Sequence, residues 1–340
     1  MTTSLRKYTD KVLNRYNLSK EEVRDVMKII MSGNASPDEL SQYLLALNDK
    51  GPTVEEITGA VEIMRQFVIP VKTKHKVVLD TCGTGGDHKD TFNISTIAAL
   101  VVAGAGVVVA KHGNRSVSSS CGSADVLEAL GVNLNLDSKK LGRCLDKIGI
   151  AFLFAQNLHP AMKHVATVRK SLGVKTIFNI LGPLTNPAHA THQMVGVYSR
   201  DLLEPMAEVL KNLGLKRALV VHGNDGLDEI TTTDRTFVSE FNGKDVVTYD
   251  IGPEELGVAS ASHKDLTGEG LEDNVTIAMD ILNGKKGPKS DIVVVNAAYA
   301  LYTAQKVKSI ADGLEAARKS IHTGKALEKL EQLKEFSHRG

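Results

Sequence analysis

The residues best suited to chemistry lie in three stretches, each directly behind a short apolar run. The first follows Val77–Leu79 and reads Asp80-Thr81-Cys82-Gly83-Thr84-Gly85-Gly86-Asp87. Gly83, Gly85 and Gly86 let the backbone turn tightly and approach a ligand, because glycine has no Cβ. Thr91-Phe92-Asn93-Ile94-Ser95-Thr96 then opens an apolar helix that runs through Leu100. Free N–H groups and the positive end of the helix dipole at such a start favour an anion, phosphate above all. Taken alone, the glycines fit an ordinary strand-to-helix turn equally well, and Asn, Ser and Thr also cap helices without a ligand. The spacing is not GxGxxG, and no lysine follows as in a P-loop.

The second stretch follows Val107–Ala110 and reads Lys111-His112-Gly113-Asn114-Arg115-Ser116-Val117-Ser118-Ser119-Ser120-Cys121-Gly122-Ser123. Lys111 and Arg115, the serines at 116, 118, 119 and 120 with Asn114, and Gly113 and Gly122 suit a polyanion held by charge, hydroxyls and close backbone. The third follows Leu219–Val221 and contains His222-Gly223-Asn224-Asp225-Gly226-Leu227-Asp228-Glu229. Adjacent carboxylates beside a glycine turn suit Mg²⁺, which takes one or two carboxylates and fills its shell with water and substrate phosphate. An acidic dipeptide by itself is more often a solvated surface feature; the company of two phosphate-suited loops is what favours the metal.

These stretches need a scaffold that brings strand ends together. In open α/β sheets, ligands lie beyond the carboxyl ends of the strands. Candidate strands are Val77–Leu79, Val107–Ala110, Ala151–Phe154, Met194–Val197, Leu219–Val221 and Ile292–Val295. Their continuous apolar character predicts strands covered on both faces. Helices are expected between them, at Ser123–Leu130 before Gly131 and at Ser138–Ile148 before Gly149, where glycine suits the left-handed cap. Phe237–Phe241 and Val246–Tyr249, around Asn242-Gly243, predict a hairpin.

The first 70 residues read differently. Ser19/Glu22, Ser36/Glu39 and Thr53/Glu56 each fit a capping box, and apolar residues recur at helical spacing behind each. The fold class expected is therefore α/β: a small all-helical N-terminal domain, residues 1–70, beside a larger α/β domain with a central sheet, residues 71–340. The strand-free stretch of residues 159–187 is expected to rejoin the helices.

Composition narrows the function classes. Lys and Arg total 41 against 40 Asp and Glu, a net charge of +1, so there is no global case for nucleic acid or membrane binding. Any polyanion must be met locally. The three cysteines, Cys82, Cys121 and Cys144, form no CxxC pair, which argues against a disulfide framework or zinc site and for a reducing, cytoplasmic setting. The N-terminus has no apolar core of a signal peptide, and no window reaches a membrane span.

Together, Asp80–Asp87, Lys111–Ser123, Thr176–Ala188 (TIFNILGPLTNPA) and His222–Ile230 resemble the signature segments of the anthranilate phosphoribosyltransferase family. The resemblance runs nearly end to end. It implies a nucleoside phosphorylase/phosphoribosyltransferase-like fold with the site in the cleft between the two domains. It implies a pentosyltransferase of tryptophan biosynthesis that moves the 5-phosphoribosyl group from phosphoribosyl diphosphate to the amine of anthranilate. It further implies Mg²⁺, two ions, and a homodimer.

Carried over by position, Gly83, Gly86, Asp87, Thr91, Asn93, Ile94 and Thr96 resemble sugar-phosphate and diphosphate contacts. Lys111, Gly113, Arg115, Ser116, Val117, Ser118, Ser119 and Ser123 resemble the rest of that site. Ser95, Asp228 and Glu229 match the metal positions. Gly83, Asn114 and Arg169 match the anthranilate contacts, with His112 and His159 nearby. Lys111, His112 and Arg169 are the catalytic candidates implied, His112 as a proton acceptor. Thr167 replaces a frequent proline and Leu158 a frequent aromatic, both on the aromatic substrate's side.

Other readings weighed are a pyrimidine nucleoside phosphorylase of the same fold, a non-catalytic nucleic-acid-binding relative, and a dinucleotide-binding oxidoreductase. The first needs no Asp228-Glu229 pair. The second predicts a basic cleft and lost carboxylates. The third needs the GxGxxG spacing that is absent.

Overall fold

The computed structural model describes residues 4–115 and 121–339; Ser116, Val117, Ser118 and Ser119 of the expected binding loop lie outside them. The N-terminal helices are Arg6–Leu13, Lys20–Met31, Pro37–Lys50 and Val54–Gln66. All three capping boxes form, with Ser19, Ser36 and Thr53 accepting from the backbone of Glu22, Glu39 and Glu56. Each satisfies orphan N–H groups at a helix start.

One seven-stranded sheet organises the remainder, in the order β3-β2-β1-β4-β5-β6-β7. The strands are β1 (Leu79–Asp80), β2 (Val109–Gly113), β3 (Ile150–Phe154), β4 (His192–Gly196), β5 (Arg217–Gly223), β6 (Thr236–Phe241) and β7 (Val246–Ile251). β1 to β5 pair in parallel, and the expected hairpin β6–β7 adds antiparallel strands at the edge.

Alternation along the strands separates two cores. Leu219 and Val221 of β5 face the core built by helices Ile94–Gly104, Pro288–Thr303, Ile310–His322 and Lys325–His338; Ala218 and Val220 face the other core. That second core joins helix Leu203–Asn212 to the N-terminal helices, and it includes Val165, Val168, Ile177 and Leu181 from the stretch expected to rejoin them. That stretch is helical at Lys163–Leu172 and Ile177–Leu184, with no strand.

Two expectations are corrected. Ile292–Val295 is not a strand but the middle of helix Pro288–Thr303, whose residues 292 to 301 are all buried. A helix sandwiched on every side is apolar all round, and a four-residue window of it looks like a buried strand. Lys111, His112 and Gly113 are not loop residues but the end of β2, because the parallel ladder to β3 continues through Lys111↔Phe152, His112↔Leu153 and Gly113↔Phe154. Among the described residues no helix is long and apolar enough to cross a membrane.

Candidate active site

β1 and β4 are neighbours whose chain connections leave in opposite directions, towards β2 and β5. Such a switch point opens a crevice beyond the carboxyl ends of the strands. The glycine loop leaves the end of β1 and the acidic loop the end of β5, and both meet at Gly196, the last residue of β4. Thr84 N donates to Gly196 O at 2.9 Å. A Cβ on Gly196 would overlap the Asp228 carbonyl oxygen, and one on Gly83 would lie 3.2 Å from Asp228 Oδ2. Only glycine at 196 lets the two loops close on the sheet.

The acidic pair is tied to the phosphate-suited backbone. Gly85 N donates to Asp228 Oδ2 at 2.9 Å, and Ser95 N donates to Glu229 Oε1 at 3.1 Å. Lys111, on β2 and buried, donates from Nζ to Thr81 O at 3.0 Å and to Ser95 Oγ at 3.4 Å. Gly83, Gly85, Ser95, Lys111, Asp228 and Glu229 therefore form one connected cluster.

Its electrostatics ask for a cation. Burial holds Asp228 above the ordinary carboxylate range, and the nearby charge of Asp87 adds to it. Burial also raises Glu229, with Asp228 adding to the effect and Lys111 opposing it. Asp87 Oδ2 is itself buried and has no hydrogen-bond partner. Crowded carboxylates with an orphaned oxygen beside a serine hydroxyl fit a hard divalent cation such as Mg²⁺. Among the described residues no three His, Cys, Asp or Glu side chains form a preformed metal cluster. Ser95, Asp228 and Glu229, the expected metal positions, lie together in this cluster, with Glu229 accepting from the Ser95 backbone.

Asn93 starts helix Ile94–Gly104 without capping it by its own side chain. Instead Asn93 N donates to Asn274 Oδ1 at 2.9 Å, and Asn93 Nδ2 reaches Cys121 O at 3.2 Å. Ile94 is buried, Thr96 Oγ1 is buried without a partner, and Thr91 bridges Thr267.

The remaining expected residues divide. His112 Nε2 lies 3.0 Å from His159 Nε2. His112 Nδ1 is buried and faces Gly182, short of a hydrogen bond. Burial lowers both imidazoles, His112 well below its ordinary value and His159 to about 4. The pair is neutral, and neither ring nitrogen of His112 faces open solvent. Arg169 contacts Asn179 Oδ1 at 3.4 Å and stacks on Phe178. Arg115 is committed to Asp125 and Glu128, at 2.7 and 2.8 Å, rather than to the glycine loop. Asn114 accepts from Gln156 at 3.4 Å, and Ser123 Oγ donates to Asn114 O at 3.3 Å.

The chain has two matches among family models: the glycosyl transferase family helical bundle domain over residues 6–68, and the glycosyl transferase family a/b domain over residues 75–327. It is 51% identical to anthranilate phosphoribosyltransferase of Acetivibrio thermocellus, over 98% of this chain and 97% of that one. The chain belongs to the anthranilate phosphoribosyltransferase family. The crystal structure of the Thermus thermophilus member superposes with a TM-score of 0.93 at 43% identity, covering 97% of this chain and 99% of that one. The Saccharomyces cerevisiae member, solved in complex with phosphoribosyl diphosphate and Mg, superposes with a TM-score of 0.90 at 29% identity, covering 98% and 97%.

Against this family background, four residues stand out that the sequence reading gave no role. Asn186, Asn274, Lys175 and Gly196 all support the cluster through contacts from distant parts of the chain. Asn274 left one trace, a polar residue on the apolar stripe of Ile277, Ala278 and Ile281. Lys175 and Gly196 left none, since their importance lies in partners remote in sequence.

Proposed function

We propose that this chain transfers the 5-phosphoribosyl group from phosphoribosyl diphosphate to the amine of anthranilate, releasing diphosphate. The observation that carries the residue assignment is the cluster of Asp228, Glu229, Ser95 and Lys111 on the glycine loop. It supplies a cation site and oriented N–H donors at one place, as a leaving diphosphate requires.

Mg²⁺ would be held by Ser95, Asp228 and Glu229, two ions being the reading that the resemblance supports. When bound, the metal supplies positive charge opposite the departing diphosphate. The chain's own part is electrostatic and positional. N–H groups of the loop around Gly83, Gly86 and Asp87, with buried Lys111 and the side chains of Thr91 and Asn93, meet the charge that grows as the glycosidic bond breaks. The anomeric carbon passes through an oxocarbenium-like state, as in other glycosyl transfers. An arylamine is neutral at pH 7, so attack needs alignment more than a strong base. Arg169 aligns anthranilate through its carboxylate, and Asn114 is the second acceptor contact that the resemblance implies. The His112–His159 pair is the candidate proton acceptor, both imidazoles being held neutral by burial.

Residues 1–70 with 159–187 act as the helical unit, a reading supported by their shared core, and the working assembly is a homodimer in the cytoplasm. Loss of anthranilate fluorescence on mixing both substrates with the protein tests the activity. Loss that needs both phosphoribosyl diphosphate and Mg²⁺ supports the transferase; no loss with both substrates and Mg²⁺ present refutes it.

A further inference from the structure

Lys175 lies between helices Lys163–Leu172 and Ile177–Leu184, on the helical side of the molecule, yet its ammonium ends on the glycine loop. Nζ donates to Gly86 O at 2.8 Å and lies 3.7 Å from the centre of the Tyr198 ring. Tyr198 is itself tied to the same loop, its backbone N–H donating to Thr84 Oγ1 at 3.1 Å. Burial disfavours the ammonium's charge, and the negative charge of Asp87 and Asp228 opposes that only in part.

The loop needs such ties. Gly85 and Gly86 are both left-handed, with φ of 61° and 76°, and Gly85 is exposed. Consecutive glycines lose more conformational freedom on ordering than any other residues. Asp228 holds Gly85 N, and Lys175 holds Gly86 O. In a trans peptide the carbonyl and N–H point in opposite directions. Engaging Gly86 O from the helical side therefore turns the Asp87 N–H away from Lys175, towards the other side of the peptide.

We propose that Lys175 is a positioning residue that pre-orders the Gly85–Asp87 backbone for the diphosphate end of phosphoribosyl diphosphate. The inference rests on the transferase reading for its ligand and on the geometry alone for the loop. Lys175 reaches the loop from the segment that leads into the TIFNILGPLTNPA stretch, so it joins the helical side to the phosphate side by one side chain.

The test compares Lys175→Met, which keeps the stem over Tyr198 but loses charge and donor, with Lys175→Arg, which keeps both. Isothermal titration with phosphoribosyl diphosphate in Mg²⁺ buffer should show about a tenfold or greater weakening for Lys175→Met, the worth of one charge-assisted hydrogen bond. Lys175→Arg should stay within about threefold of the parent, and KM for anthranilate should move less than about twofold in either. Hydrogen exchange of the ligand-free protein should be faster over residues 83–90 in Lys175→Met, with the rest of the chain unchanged. Parent-like affinity or parent-like exchange in Lys175→Met overturns the inference, as does an equal loss for both substrates. If the parent protein fails to bind phosphoribosyl diphosphate, the transferase reading falls, and the exchange measurement alone then decides whether Lys175 orders the loop. Should Lys175→Met not fold by circular dichroism, Lys175→Gln is read in its place.

Discussion

The side-chain amide of Asn186 donates to Asp80 Oδ2 at 2.8 Å across 106 residues of sequence. The same amide donates to Ala110 O at 2.8 Å, and Asp80 Oδ1 accepts the backbone N–H of His112 at 3.0 Å. Asn186 and Asp80 thus tie the end of β1, from which the glycine loop departs, to the part of β2 that carries Lys111. Burial pushes the Asp80 carboxyl up to about 6, against the pull of Lys111 and these donors. Asn186→Ala leaves a buried carboxylate oxygen and a carbonyl without partners, at a cost of about 2–4 kcal/mol. Urea unfolding should show a lower midpoint with an unchanged slope.

Asp228→Asn combined with Glu229→Gln removes both carboxylates that are crowded against Asp87. Metal-dependent binding of phosphoribosyl diphosphate should fall by at least about tenfold, since charge-assisted contacts to the ion are lost. Titrating the ligand with Mg²⁺ and then with EDTA reads the difference; a double variant that keeps the parent's Mg²⁺ dependence excludes the pair as metal ligands.

Arg169→Ala should raise KM for anthranilate about tenfold or more and leave KM for phosphoribosyl diphosphate nearly unchanged, as expected for one charge-assisted contact to a carboxylate. Steady-state rates at varied anthranilate check this. An unmoved KM would remove Arg169 from the acceptor site and direct attention to Asn114 and His159.

The buried histidine pair predicts a pH effect on stability. His159 is held at about 4 by burial, and His112 is lowered in the same sense. The unfolded chain binds protons near pH 6.5, whereas the folded pair refuses them until much lower pH, so acidification favours unfolding. Stability should be complete above about pH 6.5 and fall towards pH 4, His159 alone supplying on the order of 3 kcal/mol of that loss. Chemical denaturation at pH 7.5 and 5.0 should show a smaller drop for His159→Asn than for the parent.

Gly196→Ala should be among the most damaging single substitutions. The added methyl would overlap the Asp228 carbonyl oxygen, which is backbone and has nowhere to go without moving the acidic loop. A loss of at least about 3 kcal/mol is expected from such overpacking. Thermal unfolding measures it, and a midpoint within a degree of the parent's would show that the loop yields freely.

Signals that act within a few residues were legible from the chain alone. The capping boxes at Ser19, Ser36 and Thr53 close over three residues, and the Asn242-Gly243 hairpin over four, so neither needs the rest of the molecule. The glycine loop, Lys111 and the Asp228-Glu229 pair were likewise visible by residue type, and their family signatures tied them to one chemistry. Tertiary structure alone decided what is decided by distant neighbours. Ile292–Val295 became helix because that helix is packed on all sides, which erases periodicity. Lys111 to Gly113 became strand because β3 extends the ladder beside them. Arg115 turned to Asp125 and Glu128, and Lys175, Asn186, Asn274 and Gly196 acquired roles through hydrogen bonds to partners 76 to 181 residues away. Local hydrogen bonds and propensities are written in short windows of sequence, whereas the meeting of loops at a switch point depends on how strands are ordered, and no short window carries that order.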